Sequence, residues 1–450
     1  MPATSNTENL KREIGARTLA IAGVNVMVGS GIFVLPALVA EGLGAAAIVA
    51  YISCGIVVFL VALCFAELGS KTTESGGPYT YIEKSFGPFA GFLACNFYLI
   101  GCIASDAAVA NALTDTLQLF FPFLRVDLYR LLFQFLVFGG LAWLNIRSVK
   151  YGVRIVLFTG IGKIIPLILL IVFAAPQVQS QNLAWVVQPN VDNIGTASLL
   201  LFFAFMGLET SLCNGGEFRD PKRTVPFGLF GAVMFVLMLY AGLQLVTQGV
   251  LGGNLSNNKE APLAALANHI WGRPGMLLII GVTALSILGY LSGAILSIPR
   301  LLFAAARNSQ MPAALGKVHP RFATPYVSIL VYAGLDFIVA ASGSFRQLAI
   351  IASVSLLLIY LGAALALIKS RLSSAAHEPK SFRVPGGIVI PLLTAGVIIW
   401  LLTHSQKTEV IAVTIVIAFL SIVYLLIVLL KIKVNTIKKI SPLLILFMLM

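Results

Sequence analysis

Thr18 to Pro36 reads TLAIAGVNVMVGSGIFVLP. No charge interrupts this run, and with the residues up to Ala40 it reaches the roughly 20 apolar residues that an α-helix needs to cross a bilayer. Its middle is the wrong composition for a continuous helix. Gly29-Ser30-Gly31 supplies two residues without a Cβ around a small hydroxyl, and Pro36 follows within a turn and a half. The segment therefore reads as a membrane span whose helix is interrupted halfway. Glycine also serves close helix packing in membranes, so the interruption needs a second witness.

That witness lies in Phe203-Ala204-Phe205-Met206-Gly207-Leu208-Glu209, another apolar span with glycine at its middle and an acid two residues later. Working outward, apolar blocks fall at about 17–40, 45–68, 88–118, 129–146, 153–175, 196–215, 226–250, 275–303, 326–342, 347–368, 386–402 and 410–430. The expected fold class is an all-α membrane protein of about 12 transmembrane helices. Five spans separate the two breaks, the spacing expected if 17–175 and 196–368 were two copies of one unit in opposite topology, with 386–430 as two additional helices. Connections are short, so no separate soluble module is expected. The apolar tail Ser441–Met450 is half a span long and should rest at the interface or on the bundle.

Composition agrees. Of the 450 residues, 59% are hydrophobic and 10% charged, against roughly 25% charged in soluble domains. A net charge of +13 would suit a nucleic-acid binder, but position argues otherwise. Most Lys and Arg fall in alternate loops, whereas the other face has only Arg125, Arg130, Lys259, Arg273, Arg346 and Lys407. That asymmetry predicts both termini in the cytoplasm, no nucleic-acid partner, and a multi-pass plasma-membrane protein in contact with lipid. Cys54, Cys64, Cys95, Cys102 and Cys213 all lie in apolar segments, so neither a disulfide nor a metal site is expected. His269, His319, His377 and His404 stand at span ends or in loops without the clustering of ligands or general bases, and no enzyme or cofactor is expected.

An unwound turn inside a bilayer leaves peptide groups unpaired at a cost of several kcal/mol each unless something polar meets them. A zwitterion could meet both ends. Gly29, Ser30 and Gly31 would present amides at the start of a half-helix, where a carboxylate is favoured, and the Ser30 hydroxyl would add a donor. Carbonyls around Met27 and from Phe203 to Met206 would take an ammonium group. The two breaks together suit an α-amino acid.

Lys163 lies near the centre of the fifth span among Gly160, Ile161, Gly162, Ile164, Ile165 and Pro166. A charge there costs about 2.5 kcal/mol or more, so the side chain should face the bundle interior. It could gain and lose a proton during a cycle, or be a fixed cation in place of sodium; the other reading is a permanently paired structural lysine. Glu209, beside Gly207, could tie the unwound segment to neighbouring backbone, sense protons, or be a structural acid. Asp106 could contribute to a cation pocket, and Asp336, in a span expected at the periphery, reads best as packing. Tyr98 and Phe203 could line a cavity or simply pack.

The chain resembles the amino acid–polyamine–organocation permeases, and looks most like bacterial members related to an arginine/agmatine exchanger. The motifs are Gly29-Ser30-Gly31-Ile32-Phe33 with Pro36; Ala66-Glu67-Leu68 then Ser75-Gly76-Gly77-Pro78-Tyr79; Phe205 to Glu209; Asp220-Pro221-Lys222-Arg223-Thr224-Val225-Pro226; and Ala306-Arg307-Asn308-Ser309-Gln310-Met311-Pro312 ending in His319-Pro320-Arg321. The resemblance implies alternating access around a midplane site, with Ser30 and Gly31 receiving a carboxylate and carbonyls of Met27, Phe203 and Met206 an amine. It implies that Lys163 replaces sodium, bonded to first-span backbone near Asn25, with a proton as coupling ion and a homodimer possible. Two positions depart from the exchanger: its stacking tryptophan falls on Ala294 and its third-span asparagine on Asp106. These changes pull side-chain preference in opposite directions, so the solute carried stays open among amino acids and amines. Proton-coupled uptake and obligate exchange also both stand.

Overall fold

The computed structural model describes residues 14–71, 78–147, 149–186, 188–210, 212, 218–307, 312–373, 382–407 and 409–425. Expectations resting on Ser75 to Gly77, Cys213, Asn308 to Met311, His377 and the tail from Ser441 lie outside the described residues. Helices follow one another along the chain: α1 Ala16–Met27, α2 Gly31–Leu43, α3 Ala47–Lys71, α4 Pro78–Phe86, α5 Pro88–Leu117, α6 Asp127–Arg147, α7 Val149–Ala174, α8 Val191–Phe205, α9 Pro221–Leu251, α10 Pro262–Arg307, α11 Tyr326–Ser342, α12 Phe345–Leu372 and α13 Val389–Thr403. A last apolar helix, α14, covers Glu409–Leu425. Among the described residues there is no strand, only an isolated bridge between Ile14 and Phe218.

Local sequence sets the helix ends. Asn190 accepts from the Asn193 amide at 2.6 Å to start α8. Asp220 accepts from the Lys222 amide at 3.2 Å, with Pro221 as the first residue of α9. Ser344 and Gln347 form a reciprocal capping box at α12. Seven helical stretches are long and apolar enough to cross a membrane among the described residues, and shorter apolar helices such as α11, α13 and α14 accompany them. Outward apolar side chains, including Phe135 and Leu136 on α6 and Ile415 and Phe419 on α14, present the kind of continuous apolar surface that lipid covers. The protein is a multi-pass, all-α membrane protein.

One helix escaped the reading by apolar length, and another begins earlier than that reading placed it. α4 is nine residues long and mixed in composition, with Tyr81 and Ile82 buried and Lys84 in its last turn. It is an amphipathic helix too short to register as a span. α10 begins at Pro262, inside what the sequence suggested was a connection, and bends at Gly272 (φ 66°, ψ −161°) before Pro274 restarts it. Only glycine takes that backbone conformation without strain.

Four pairings frame the centre of the bundle: α1 against α9, α8 against α3, α5 against α12, and α10 against α7. Between them stand the two interrupted segments. α1 stops at Met27 and α2 restarts at Gly31, while α8 stops at Phe205 and gives way to a tight turn over Leu208–Thr210. The halves meet at van der Waals distance. A Cβ on Gly31 would lie 2.8 Å from the Ala204 backbone, and one on Gly207 would lie 2.6 Å from the Val26 side chain. Gly207 also needs φ of 104°, which L side chains rarely adopt. Both glycines are thus required by contact, and Gly207 by conformation as well.

Substituting Gly31→Ala should force the two half-helices apart, at about 1–3 kcal/mol for overpacking a dense core. Thermal unfolding of the purified variant in detergent should begin several degrees below wild type, and an unchanged profile would show that the contact is loose.

Candidate functional site

The first break is short and tightly organised. The Val28 amide still bonds to Val24 O (2.9 Å), the Gly29 amide turns back to Met27 O (2.8 Å), and the Phe33 amide bonds to Ser30 O (3.0 Å) as α2 begins. Ahead of Phe33, the first amides of α2 have no partner within the helix itself, as at any helix start. Ser30 is 1% exposed, and its hydroxyl has no hydrogen-bond partner among the described residues. A buried polar atom of this kind costs about 1–3 kcal/mol unless a ligand meets it.

At the second break Met206 is extended (φ −69°, ψ 161°) and its amide reaches Phe203 O at 3.4 Å. The Gly207 amide donates to Glu209 Oε2 at 3.1 Å, and Gly207 O accepts from the Thr210 amide (3.1 Å) and hydroxyl (2.7 Å). Tyr360 on α12 donates to the same Glu209 oxygen. Glu209 therefore holds the unwound turn on one side and α12 on the other.

One tyrosine joins the breaks. The Tyr240 hydroxyl, on α9, lies 2.8 Å from Met27 O and 3.1 Å from Ala204 O, so a single proton is shared between the carbonyl ends of α1 and α8. This bears on the expectation that Met27 O takes an ammonium group. Met27 O already accepts from the Gly29 amide and from Tyr240, which engages both lone pairs. An ammonium group would find acceptors at the end of α8 instead.

A cavity of about 300 Å³ opens between the breaks. Asn25, Met27, Gly29, Ser30, Gly31, Asp106, Lys163, Phe203, Met206, Gly207, Glu209 and Ala294 all line it, which gathers into one place almost every residue singled out in the sequence. Tyr98 is the exception. It sits about one turn before Gly101 and Cys102, the first residues of α5 to reach the cavity. Small residues, Gly101, Gly289, Gly293 and Ala294, make the walls and leave the volume free. Phe203, in the wall, stacks edge-on against Phe345 at the start of α12, with ring centroids 5.5 Å apart.

Lys163 is 3% exposed and donates to Asn25 O at 2.6 Å. The bond satisfies a carbonyl of α1 just ahead of the break and gives the amine a neutral partner in place of a counter-ion. Glycine makes the approach possible: a Cβ on Gly160 would lie 2.7 Å from the Asn25 side chain, and one on Gly289 would lie 2.0 Å from Thr159 Oγ1. α7 is thereby seated against α1 and α10 at the depth of the cavity. Asp106 is wholly buried, with Oδ2 accepting from Tyr332 on α11 at 2.9 Å.

Several members of the site gave no signal in the sequence. Tyr240, Tyr360, Tyr332 and Tyr290 are aromatic residues in apolar helices and look like core until their hydroxyls are placed. Tyr290, 2.9 Å from Ser105 Oγ, stands in the wall one turn from Ala294. No group of three or more His, Cys, Asp or Glu side chains suited to a metal occurs among the described residues.

A sequence model described as amino acid permease matches residues 14–450. The chain is 30% identical over 397 residues to the serine/threonine exchanger SteT of Bacillus subtilis, covering 85% of this chain and 89% of that one. It is 24% identical over 410 residues to the branched-chain amino acid permease BcaP of the same organism, covering 86% and 87%. Its identity to the methylthioribose transporter of Bacillus subtilis is 25% over 445 residues, covering 95% of each. With two mid-membrane breaks facing one cavity and a family match over nearly its whole length, the chain belongs to the amino acid permease family within the amino acid–polyamine–organocation superfamily.

Proposed function

We propose that this protein carries amino acids across a bacterial plasma membrane by alternating access, with both termini cytoplasmic and with proton movement coupled to solute movement. The observation that carries the reading is the juxtaposition of two opposed half-helix ends on one cavity. The start of α2 offers free amides and the unpartnered Ser30 hydroxyl, suited to a carboxylate, and the end of α8 offers carbonyls between Phe203 and Met206, suited to an ammonium group. The relatives named for serine/threonine exchange and for branched-chain amino acids support the same solute class.

The helix pairings support an inverted repeat. The partnership of α1 with α9 has its counterpart in α8 with α3, and that of α5 with α12 in α10 with α7. Each pairing becomes the other when one five-span unit, 17–175, is exchanged for the second, 196–368. Rocking of one set against the other would expose the cavity to alternate sides. The walls run past the breaks to Gly101 on α5 and Ile298 on α10, toward the end rich in Lys and Arg, while Phe203 pairs with Phe345 toward the opposite end. This arrangement fits a cytoplasm-facing state.

Lys163 is the coupling group in this reading. Its ammonium substitutes for a sodium ion as the positive charge that braces α1 against α7, and loss of the proton would weaken the bond to Asn25 O. Glu209 would transmit the state of the α8 break to α12. The exchanger among the relatives favours a second reading, in which solute leaves only as another enters.

In proteoliposomes with no internal solute, a pH gradient should drive uptake of a labelled amino acid from a panel including serine, threonine and leucine. An absolute need for internal amino acid would establish exchange instead. Lys163→Ala should reduce gradient-driven uptake to background while the protein still inserts and purifies normally; uptake at the wild-type rate would reject the coupling role. Ser30→Leu should fill the gap between the half-helices and weaken equilibrium binding by at least about tenfold, equivalent to about 1.4 kcal/mol. Unchanged affinity would place the solute elsewhere.

A further inference from the structure

Behind the cavity wall a second buried acid, Asp336, lies on α11, the helix whose Tyr332 reaches Asp106. Tyr332 and Asp336 are four residues apart on α11 and so share a face one turn apart, and α11 packs along α5. Tyr332 donates to Asp106 Oδ2 at 2.9 Å, which places that face of α11 against Asp106. Asp336 is wholly buried and feels the charge of Asp106. Asp106 Oδ1 and both carboxyl oxygens of Asp336 are buried without a hydrogen-bond partner among the described residues, and neither acid has an ion-pair partner there.

The surroundings provide no compensating charge. From α10 comes Tyr290, whose hydroxyl is 2.9 Å from Ser105 Oγ and also interacts with Asp106. From α5 itself come Ser105 and Cys102, with Glu209 and Tyr360 beyond the thiol. α6 turns Phe135 to Phe337 on α11, and its Arg130 is held by Asp115 at 2.6 Å and Asn111 at 2.5 Å, more than a turn along α5 from Asp106. Two carboxylates at this depth would carry both a desolvation cost and mutual repulsion, and the hydrogen bond from Tyr332 to Asp106 meets only a part of the first. Something positive and small must accompany them. A metal ion would want about six oxygen ligands, more than two carboxyl groups and the neighbouring phenols of Tyr332 and Tyr290 supply.

We propose that Asp106 and Asp336 form a carboxyl pair that binds a proton within the bundle and exchanges it with solvent only through the central cavity. The step is a simple protonation: a proton from cavity water joins a carboxylate oxygen, and no other bond changes. Asp106 lines the cavity and Asp336 does not, so Asp106 is the point of entry and Asp336 the deeper member. The pair belongs to α5 and α11, whereas the Lys163–Asn25 contact joins α7 to α1, so it is a proton site distinct from that contact. It also gives a use to an acid that the sequence suggested was packing.

The test needs no solute and is independent of whether transport is proton-coupled. Purified protein in lipid nanodiscs, grown with aspartate carrying a heavy carboxyl carbon, is followed by infrared absorption as pH is varied. Glu209 is silent to the label. The expected result is a label-sensitive band of protonated carboxyl at neutral pH that disappears reversibly as pH rises. Asp336→Asn should shift or remove that band while the protein stays monodisperse, and the Asp106→Asn/Asp336→Asn double variant should lack it. Absence of the band from the wild type at neutral pH would overturn the proposal. So would a band indifferent to pH over the range in which the protein stays folded, or one retained in the double variant.

Discussion

A peptide group inside a bilayer has no water to turn to, and the structure is organised around two places where the chain nevertheless gives up its helical bonds. Each unmet amide or carbonyl there costs several kcal/mol, so a break persists only if its neighbours meet most of the lost bonds. Side chains from other helices and from the broken segment itself meet many of them. Lys163 takes Asn25 O, Tyr240 serves Met27 O and Ala204 O, and Glu209 takes the Gly207 amide. What the neighbours leave unmet, chiefly the start of α2 and the Ser30 hydroxyl, is what a ligand can use.

This division of labour ties solute binding to helix packing. The groups that steady the breaks belong to α7, α9 and α12, which pack in turn on α10, α3 and α5. A change in how a solute holds the breaks is felt at once by the helices around them, without a long relay. Close contact makes the coupling stiff: glycines at 31, 160, 207 and 289 leave no room for even one added carbon. Cores packed at that density tend to switch between arrangements and resist gradual deformation. Asp106 lines the same cavity as the two breaks.

Much of this was legible in the sequence because lipid simplifies the code. Long uncharged runs located the spans, and a charge inside such a run, as at Lys163 or Glu209, had to face inward. The paired glycine breaks then located the cavity. Other features left no such trace. A tyrosine in an apolar helix reads the same whether its hydroxyl is idle or bridges two broken helices, so Tyr240 and Tyr360 were invisible. Asp336 looked peripheral because its span was judged by order along the chain, whereas packing turns that residue inward onto α5. The position of Met27 at the break was evident in the sequence, and its bond to Tyr240 was not. α4 was missed because it never enters the length regime in which hydropathy decides.

The central claim is that bare peptide ends grip both charged ends of a zwitterion. Competition binding on purified protein in detergent tests it most directly, comparing an amino acid that binds with its methyl ester and its N-acetyl derivative. The account predicts that each blocked analogue competes at least about tenfold more weakly, since each loses a charge-assisted hydrogen bond of about 1.5–3 kcal/mol. Equal competition by either analogue would mean that the corresponding half-helix end does not hold the solute.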